Sequence, residues 1–230
     1  YTISSGNPAQ FVVGNAQPSD MFVSRSGLHT VSGDDGLILS GLNEFYVTFK
    51  LDAGAHGEMF VSKGRAGIGK DFRLGSSPQG GSDSFRNFVS SFMATENNTV
   101  VTISDYDTGV TFTTPTATNS NGSQVFTLQE GQSVVLSGYS DVTENWTGFI
   151  GARLTSTKPV AVITGNVTVN PSSGSGNDVC LDQIVPIEQI GTEYVVVKGN
   201  GIASTELPIV VATQDNTQIY VNGIAAPIAT

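Results

Sequence analysis

The chain has 230 residues and a formal net charge of -10, from 20 Asp and Glu against 10 Lys and Arg. So little cationic surface excludes nucleic-acid phosphates as a partner and disfavours anionic membranes. No run reaches the ~18 apolar residues of a membrane helix, which excludes helical membrane insertion, and the single cysteine, Cys180, excludes an internal disulfide.

In chain order, strands are predicted over residues 45–51, 58–62, 88–95, 100–106, 132–137, 149–154, 160–169, 194–197 and 209–212, all enriched in β-branched or aromatic side chains. Between them lie Gly, Asn, Asp and Ser clusters at residues 32–36, 119–123, 172–177 and 221–223, where Gly and Asn tolerate positive φ. No stretch sustains a 3.6-residue apolar period. The best helical candidate, residues 181–189, is interrupted by Pro186. The class is therefore all-β with at most a short helical turn, and Cys180 is expected as a buried thiol.

An internal duplication organises these elements. Ala94-Thr95-Glu96-Asn97-Asn98-Thr99 returns 118 positions later as Ala212-Thr213-Gln214-Asp215-Asn216-Thr217, and Glu44-Phe45-Tyr46-Val47 is echoed by Glu193-Tyr194-Val195-Val196. The predicted architecture is a sandwich-like module with internally duplicated β-lobes, with a propeller-like arrangement of the repeats as the alternative. The two motifs lie 50 positions apart in the first copy and 19 in the second, which leaves about thirty extra residues between Gly54 and Phe88. Insertions on a β-scaffold usually become loops, where binding is commonly placed. The expected division is N-terminal strands over 1–40, a first lobe over 41–170 carrying an inserted Gly-rich basic loop at 54–88, a linker over 171–191, and a truncated second lobe over 192–230.

That insertion holds the clearest candidate site. Lys63, Arg65, Lys70, Arg73 and Arg86 are half of all the cations in the chain, interleaved with Phe72 and Phe85. Such a patch suits carboxylated or sulfated glycans, or an acidic face of a partner protein, through charge-assisted hydrogen bonds. The competing reading is that these cations pair with the chain's own carboxylates. Residues 64–70 fit the phosphate-loop spacing, but Asp71 stands where Ser or Thr is needed and Pro78 with Gly80 and Gly81 leaves no room for the required helix. Asp34 with Asp35, Asp105 with Asp107, and Asp178 with Asp182 are the acidic groupings that could hold a structural calcium, though none has the spacing of a known calcium loop. No other cofactor is implied. His29 and His56 are the only histidines and suggest neither nucleophilic catalysis nor a zinc site. Trp146, the single tryptophan, reads as a core residue or, on a loop, as a sugar-stacking platform.

Four segments together carry a family resemblance: Glu44 to Val47, the two Ala-Thr-x-x-Asn-Thr motifs, Ser156-Thr157-Lys158-Pro159-Val160-Ala161-Val162, and Asp182-Gln183 through Pro186 to Gly191-Thr192-Glu193-Tyr194. From about Gly41 onward the chain resembles the IgGFc-binding-protein N-terminal domain, in the form found at the front of very large surface proteins of gliding Bacteroidota. The resemblance implies an extracellular, cell-surface, non-enzymatic module acting in adhesion or gliding motility after type IX secretion. It also implies a surface glycan or protein partner and contact with the secretion or outer-membrane machinery of the parent protein. It supplies no catalytic residues and transfers no ligand. The alternatives are a structural cap or export-docking module with no ligand of its own, and a carbohydrate-active enzyme built on paired carboxylates.

Overall fold

The structure, a computed structural model, describes residues 2–4, 6–9, 25–33, 36–53, 56–78, 87–114, 118–119, 122–169, 178–201 and 208–221. Its strands are β1 (Thr48–Ala53), β2 (His56–Val61), β3 (Ile68–Arg73), β4 (Phe88–Ala94), β5 (Thr99–Ser104), β6 (Phe112–Thr113), β7 (Thr118–Asn119), β8 (Gln124–Leu128), β9 (Ser133–Ser137), β10 (Arg153–Val169) and β11 (Asp178–Gln183). Short 3-10 turns occupy Gly64–Gly67, Thr143–Trp146 and Ile187–Gln189, and the described residues contain no α-helix. Period-two patterning explains the pairing. Val101 and Ile103 of β5, and Phe126 and Leu128 of β8, point inward from alternate positions, and the antiparallel register sets Val101 opposite Phe126.

The 17-residue β10 is the spine. Along one edge it pairs first with β5, from Arg153 to Ser156, and then with β4, from Val160 to Asn166. Along the other it pairs with β3 and then with β11. Pro159, which has no N–H to give a ladder, lies where the β3 register shifts between Thr155 and Val160. The β4–β5 turn, the β8–β9 turn and the Pro159 step of β10 sit at the same level: Thr95 N donates to Pro159 O (3.3 Å), Ala94 N to Gln132 O (3.0 Å) and Gly131 N to Ala94 O (2.9 Å). Three kinked ribbons thus run side by side and fold over, so that Phe92 of β4 meets Phe126 of β8 at 5.6 Å between centroids. The result is a curled antiparallel sheet closed on one core, an all-β, sandwich-like module; the described strands do not form propeller blades.

Within the curl, Phe88 stacks on Phe149 (4.0 Å, 14°) while Phe112 meets both edge-on at 5.7 and 5.8 Å. All three are fully buried, and each stabilises the fold by about 1.5–3 kcal/mol through removal of apolar surface from water. β1 and β2 form a separate hairpin with Thr48 opposite Val61. The hairpin is tied to β11 by side chains: Gly57 N donates to Asp178 Oδ1 (3.2 Å) and Leu181 N donates to Glu58 Oε2 (3.2 Å).

The duplication is reproduced in atomic detail at one turn. Asn98 and Asn216 both adopt the left-handed conformation (φ 57° and 61°), and Thr99 Oγ1 donates to Glu96 O at 2.7 Å as Thr217 Oγ1 does to Gln214 O. The flanks differ. Strands β4 and β5 lead out of the first turn, whereas residues 194–197 and 209–212, predicted as strands, form none, and Tyr194 to Val197 are exposed, Val195 by 88%. Strand propensity is present there, but no ladder partner is supplied among the described residues.

Two further expectations are corrected. The predicted strands at 149–154 and 160–169 are one element, because β10 passes Pro159 by kinking rather than ending, and residues 149–152 are a turn. The stretch 54–88 is not an open Gly-rich loop where it is described: it contains β2, a 3-10 turn and β3, and it delivers Phe72 and Leu74, both fully buried, to the core. Gly69 serves close approach and not flexibility, since a Cβ there would lie 2.4 Å from the Cβ of Pro186. Residues 54–55 and 79–86 lie outside the described residues.

Candidate functional site

The basic cluster is built on the end of β2, the turn Gly64–Gly67 and strand β3. Lys63 leaves β2 with its N–H donated to Gln183 Oε1 (2.8 Å) and its ammonium held 3.1 Å from both carboxylate oxygens of Asp182. Both partners of that ion pair are substantially exposed, so it is worth about 0–1 kcal/mol. Arg73, at the far end of β3, is held more firmly. One guanidinium nitrogen donates to Asp105 Oδ2 (2.9 Å) and to Gly151 O (3.0 Å), and its Nε is buried without a partner among the described residues. Between them, Arg65 on the turn and Lys70 on β3 are exposed and show no ion pair or hydrogen bond to a described side chain. Arg86 and Phe85 lie outside the described residues, and Phe72 faces the core, out of a ligand's reach.

Next to Lys70, Asp71 makes a bidentate pair with Arg153 across the β3–β10 ladder (2.9 and 2.7 Å). Those hydrogen bonds hold its carboxyl below the usual carboxylate range against the opposing effect of partial burial, with the positive charges of Arg153 and Arg73 adding to them. A strand rather than a helix follows Gly67, and Asp71 is committed to Arg153, so residues 64–71 lack the helix N-terminus of a phosphate loop. The surface therefore reads as two exposed cations without an ion pair among the described residues, Arg65 on a turn and Lys70 on the following strand, with one exchangeable lysine and an internally paired arginine.

The remaining candidates fall elsewhere. Trp146 is not a core plug: it is 41% exposed on its 3-10 turn, with the indole N–H donated to Ser140 O (2.7 Å). Sequence weighting missed it because only the local turn decides which way the ring faces. Cys180 is not a buried residue either, being exposed on β11. Its thiol is nonetheless pushed up, first by the part of its surroundings that excludes water and then by the charges of Glu58, Asp182 and Asp178, so it stays protonated and inert at neutral pH. His29 packs edge-on against Phe126 (5.0 Å) and Phe112 (5.7 Å), and burial lowers its pKa while a hydrogen bond with Gln124 opposes the shift. Asp105 and Asp182 are engaged by Arg73 and Lys63, and Asp178 accepts from Gly57 and Val179. Among the described residues no three His, Cys, Asp or Glu side chains converge as metal ligands, and Asp34 and Asp35 lie outside those residues.

The structure is an all-β scaffold whose polar chemistry lies on strand edges and turns. The family model of the IgGFc binding protein matches residues 57–230, and the chain belongs to that family. No curated protein and no solved structure matches it. No described helix is long and apolar enough to cross a membrane.

Proposed function

We propose that this chain is a non-enzymatic extracellular module of a large bacterial cell-surface protein, exported by type IX secretion and acting in adhesion or gliding motility. Its ligand surface is the β3 edge with Arg65, Lys70 and Lys63, and its partner is a carboxylated or sulfated surface glycan or an acidic protein face. The observation that carries this reading is the exposure of Arg65 on the 3-10 turn and of Lys70 on the strand that follows it, in a chain with twice as many acids as bases. A short turn running directly into a strand limits the spacing of the two charges, so a multivalent anion loses little entropy on binding there. Lys63 joins at small cost, since a ligand anion replaces Asp182 in a weak exposed pair. Membership of the IgGFc binding protein family supports a binding role in general; the antibody ligand in the family's name is not carried over. A structural cap with no ligand of its own is the second reading, favoured by the internal pairing of Lys63 and Arg73.

The test is binding of the wild-type chain and of a Lys63→Gln, Arg65→Gln, Lys70→Gln variant to a glycan array and to cell-surface extract, at low and high salt. Arg73 is left intact because it is tied into the fold. Binding that weakens with salt, as screening over ~8 Å requires, and disappears in the variant is the expected result. Undiminished binding by the folded variant would refute the assignment of this edge, and no binding by either protein would favour the cap.

A further inference from the structure

The first copy of the duplicated turn shows what the second copy lacks. Residues Thr157, Lys158 and Pro159 of β10 lie in the first turn through four hydrogen bonds. Thr95 donates to Pro159 O from its N–H (3.3 Å) and from its hydroxyl (2.7 Å), Val100 N donates to Thr157 Oγ1 (2.9 Å), and the Lys158 ammonium donates to Asn97 O (2.6 Å) with Glu96 at 4.0 Å. The corresponding groups of the second turn are the N–H and hydroxyl of Thr213, the Gln218 N–H and the Asp215 carbonyl, at the same 118-residue offset. None of these has a hydrogen-bond partner among the described residues. The turn that presents them is already in the docking conformation, with Asn216 at φ 61° and the Thr217 hydroxyl on Gln214 O. The carboxylate that attends the lysine has moved one residue along, from Glu96 to Asp215, so the negative charge is kept. The apolar neighbours match as well. Val160 and Val162 of β10 stand opposite Ala94 and Phe92, whose counterparts are Ala212 and Val210, both exposed, Val210 by 60%.

We infer that the second turn, residues 208–221, is a docking site for an extended strand of a partner polypeptide carrying a Thr-Lys-Pro step followed by alternating valines. The strand lies antiparallel to residues 208–212, with its lysine at Asp215 and its valines beside Ala212 and Val210. Recognition is by strand addition, in which main-chain hydrogen bonds supply affinity and the lysine and valines supply register. This surface is separate from the β3 cations and stands or falls independently of them.

The chain supplies its own probe. A fluorescently labelled peptide with the sequence of residues 155–164, Thr-Ser-Thr-Lys-Pro-Val-Ala-Val-Ile-Thr, is titrated into the full 230-residue chain and followed by anisotropy. One peptide is expected to bind per chain, and Asp215→Lys is expected to weaken binding roughly tenfold or more by turning attraction into like-charge repulsion. A peptide with its lysine replaced by glutamate should lose as much against the wild-type chain, an arm that does not depend on the variant folding. No binding, or binding indifferent to Asp215→Lys, would overturn the proposal; loss with the glutamate peptide but not with Asp215→Lys would mean exchange with β10 at the first turn, where Lys158 meets Asn97 O and Glu96. Concentration-dependent dimers of the chain alone that Asp215→Lys dissolves would overturn it in favour of a second copy as the occupant.

Discussion

Truncating Phe149 to alanine tests whether the core and the β3 edge are one structure. The side chain is fully buried, and Phe→Ala at such positions costs about 3–5 kcal/mol through lost transfer free energy plus the cavity left behind. Its surroundings put the cost at the upper end, because it stacks on Phe88 and meets Phe112 edge-on, and such ring pairs add about 0.5–1.5 kcal/mol beyond area. A loss near 5 kcal/mol is a third or more of the total for a domain whose stability lies in the range of about 5–15 kcal/mol. Phe149→Leu keeps most of the volume and should cost about 1.5 kcal/mol or somewhat more. The ring also anchors the turn at 149–152, whose backbone holds Leu74 on both sides (Leu74 N to Ala152 O at 2.8 Å, Gly151 N to Leu74 O at 2.7 Å) and receives Arg73 at Gly151 O. Urea unfolding at neutral pH measures both variants, and hydrogen exchange of the Phe72 and Leu74 amides reports on β3. A Phe149→Ala cost below about 2 kcal/mol, or a Phe149→Leu cost near zero, would refute a role for ring geometry, since area alone would then suffice.

Two other outcomes are expected. His29 has its pKa lowered from 6.5 by burial, so the folded state resists protonation that the unfolded chain accepts. Stability is full above the unfolded value, falls as pH drops below about 6.5, and stops falling once pH passes the folded value. Melting temperatures measured across that window should decline in the wild type and decline less in His29→Gln; parallel curves would exclude His29 as the cause. Gly165 packs so closely on β11 that a Cβ there would lie 2.0 Å from the carbonyl oxygen of Cys180. Because that neighbour is backbone, Gly165→Ala must open the β10–β11 ladder and should cost about 3 kcal/mol or more, the top of the range for overpacking. Urea unfolding would show a loss below about 1 kcal/mol if the two strands can separate freely.

Much of the fold was legible where alternation and partner were both local. Strands β4, β5 and β9 fall within two residues of their predicted bounds because each is a short run rich in β-branched or aromatic side chains, and in β5 the buried positions alternate strictly. The same signal misleads at 194–197 and 209–212: propensity describes the capacity of a segment to enter a sheet, while the ladder depends on a neighbour that lies elsewhere. The 54–88 insertion was misread for a related reason. A length difference between two copies says that residues were added and not what they do, although Phe72 and Leu74 already alternate with Arg73 in the sequence. For the candidate site, the concentration of cations was visible, but its division was not. Lys63 pairs with Asp182 across 119 positions and Arg73 with Asp105 across 32, and no pattern along one chain announces which charges cancel at such separations. Trp146 escaped because a single ring on a 3-10 turn leaves no periodicity to read.

The route of β10 has a mechanical consequence. It is bonded along both edges to strands that come from before it, β3, β4 and β5, and from after it, β11. A pull along that strand meets its cross-links in shear, many at once, whereas peeling an outer strand would break them one after another. Loaded along that strand, the chain is expected to yield first at the β1–β2 hairpin, whose hold on β11 includes the Gly57 and Leu181 hydrogen bonds to carboxylates, and to keep its core intact while the periphery gives way.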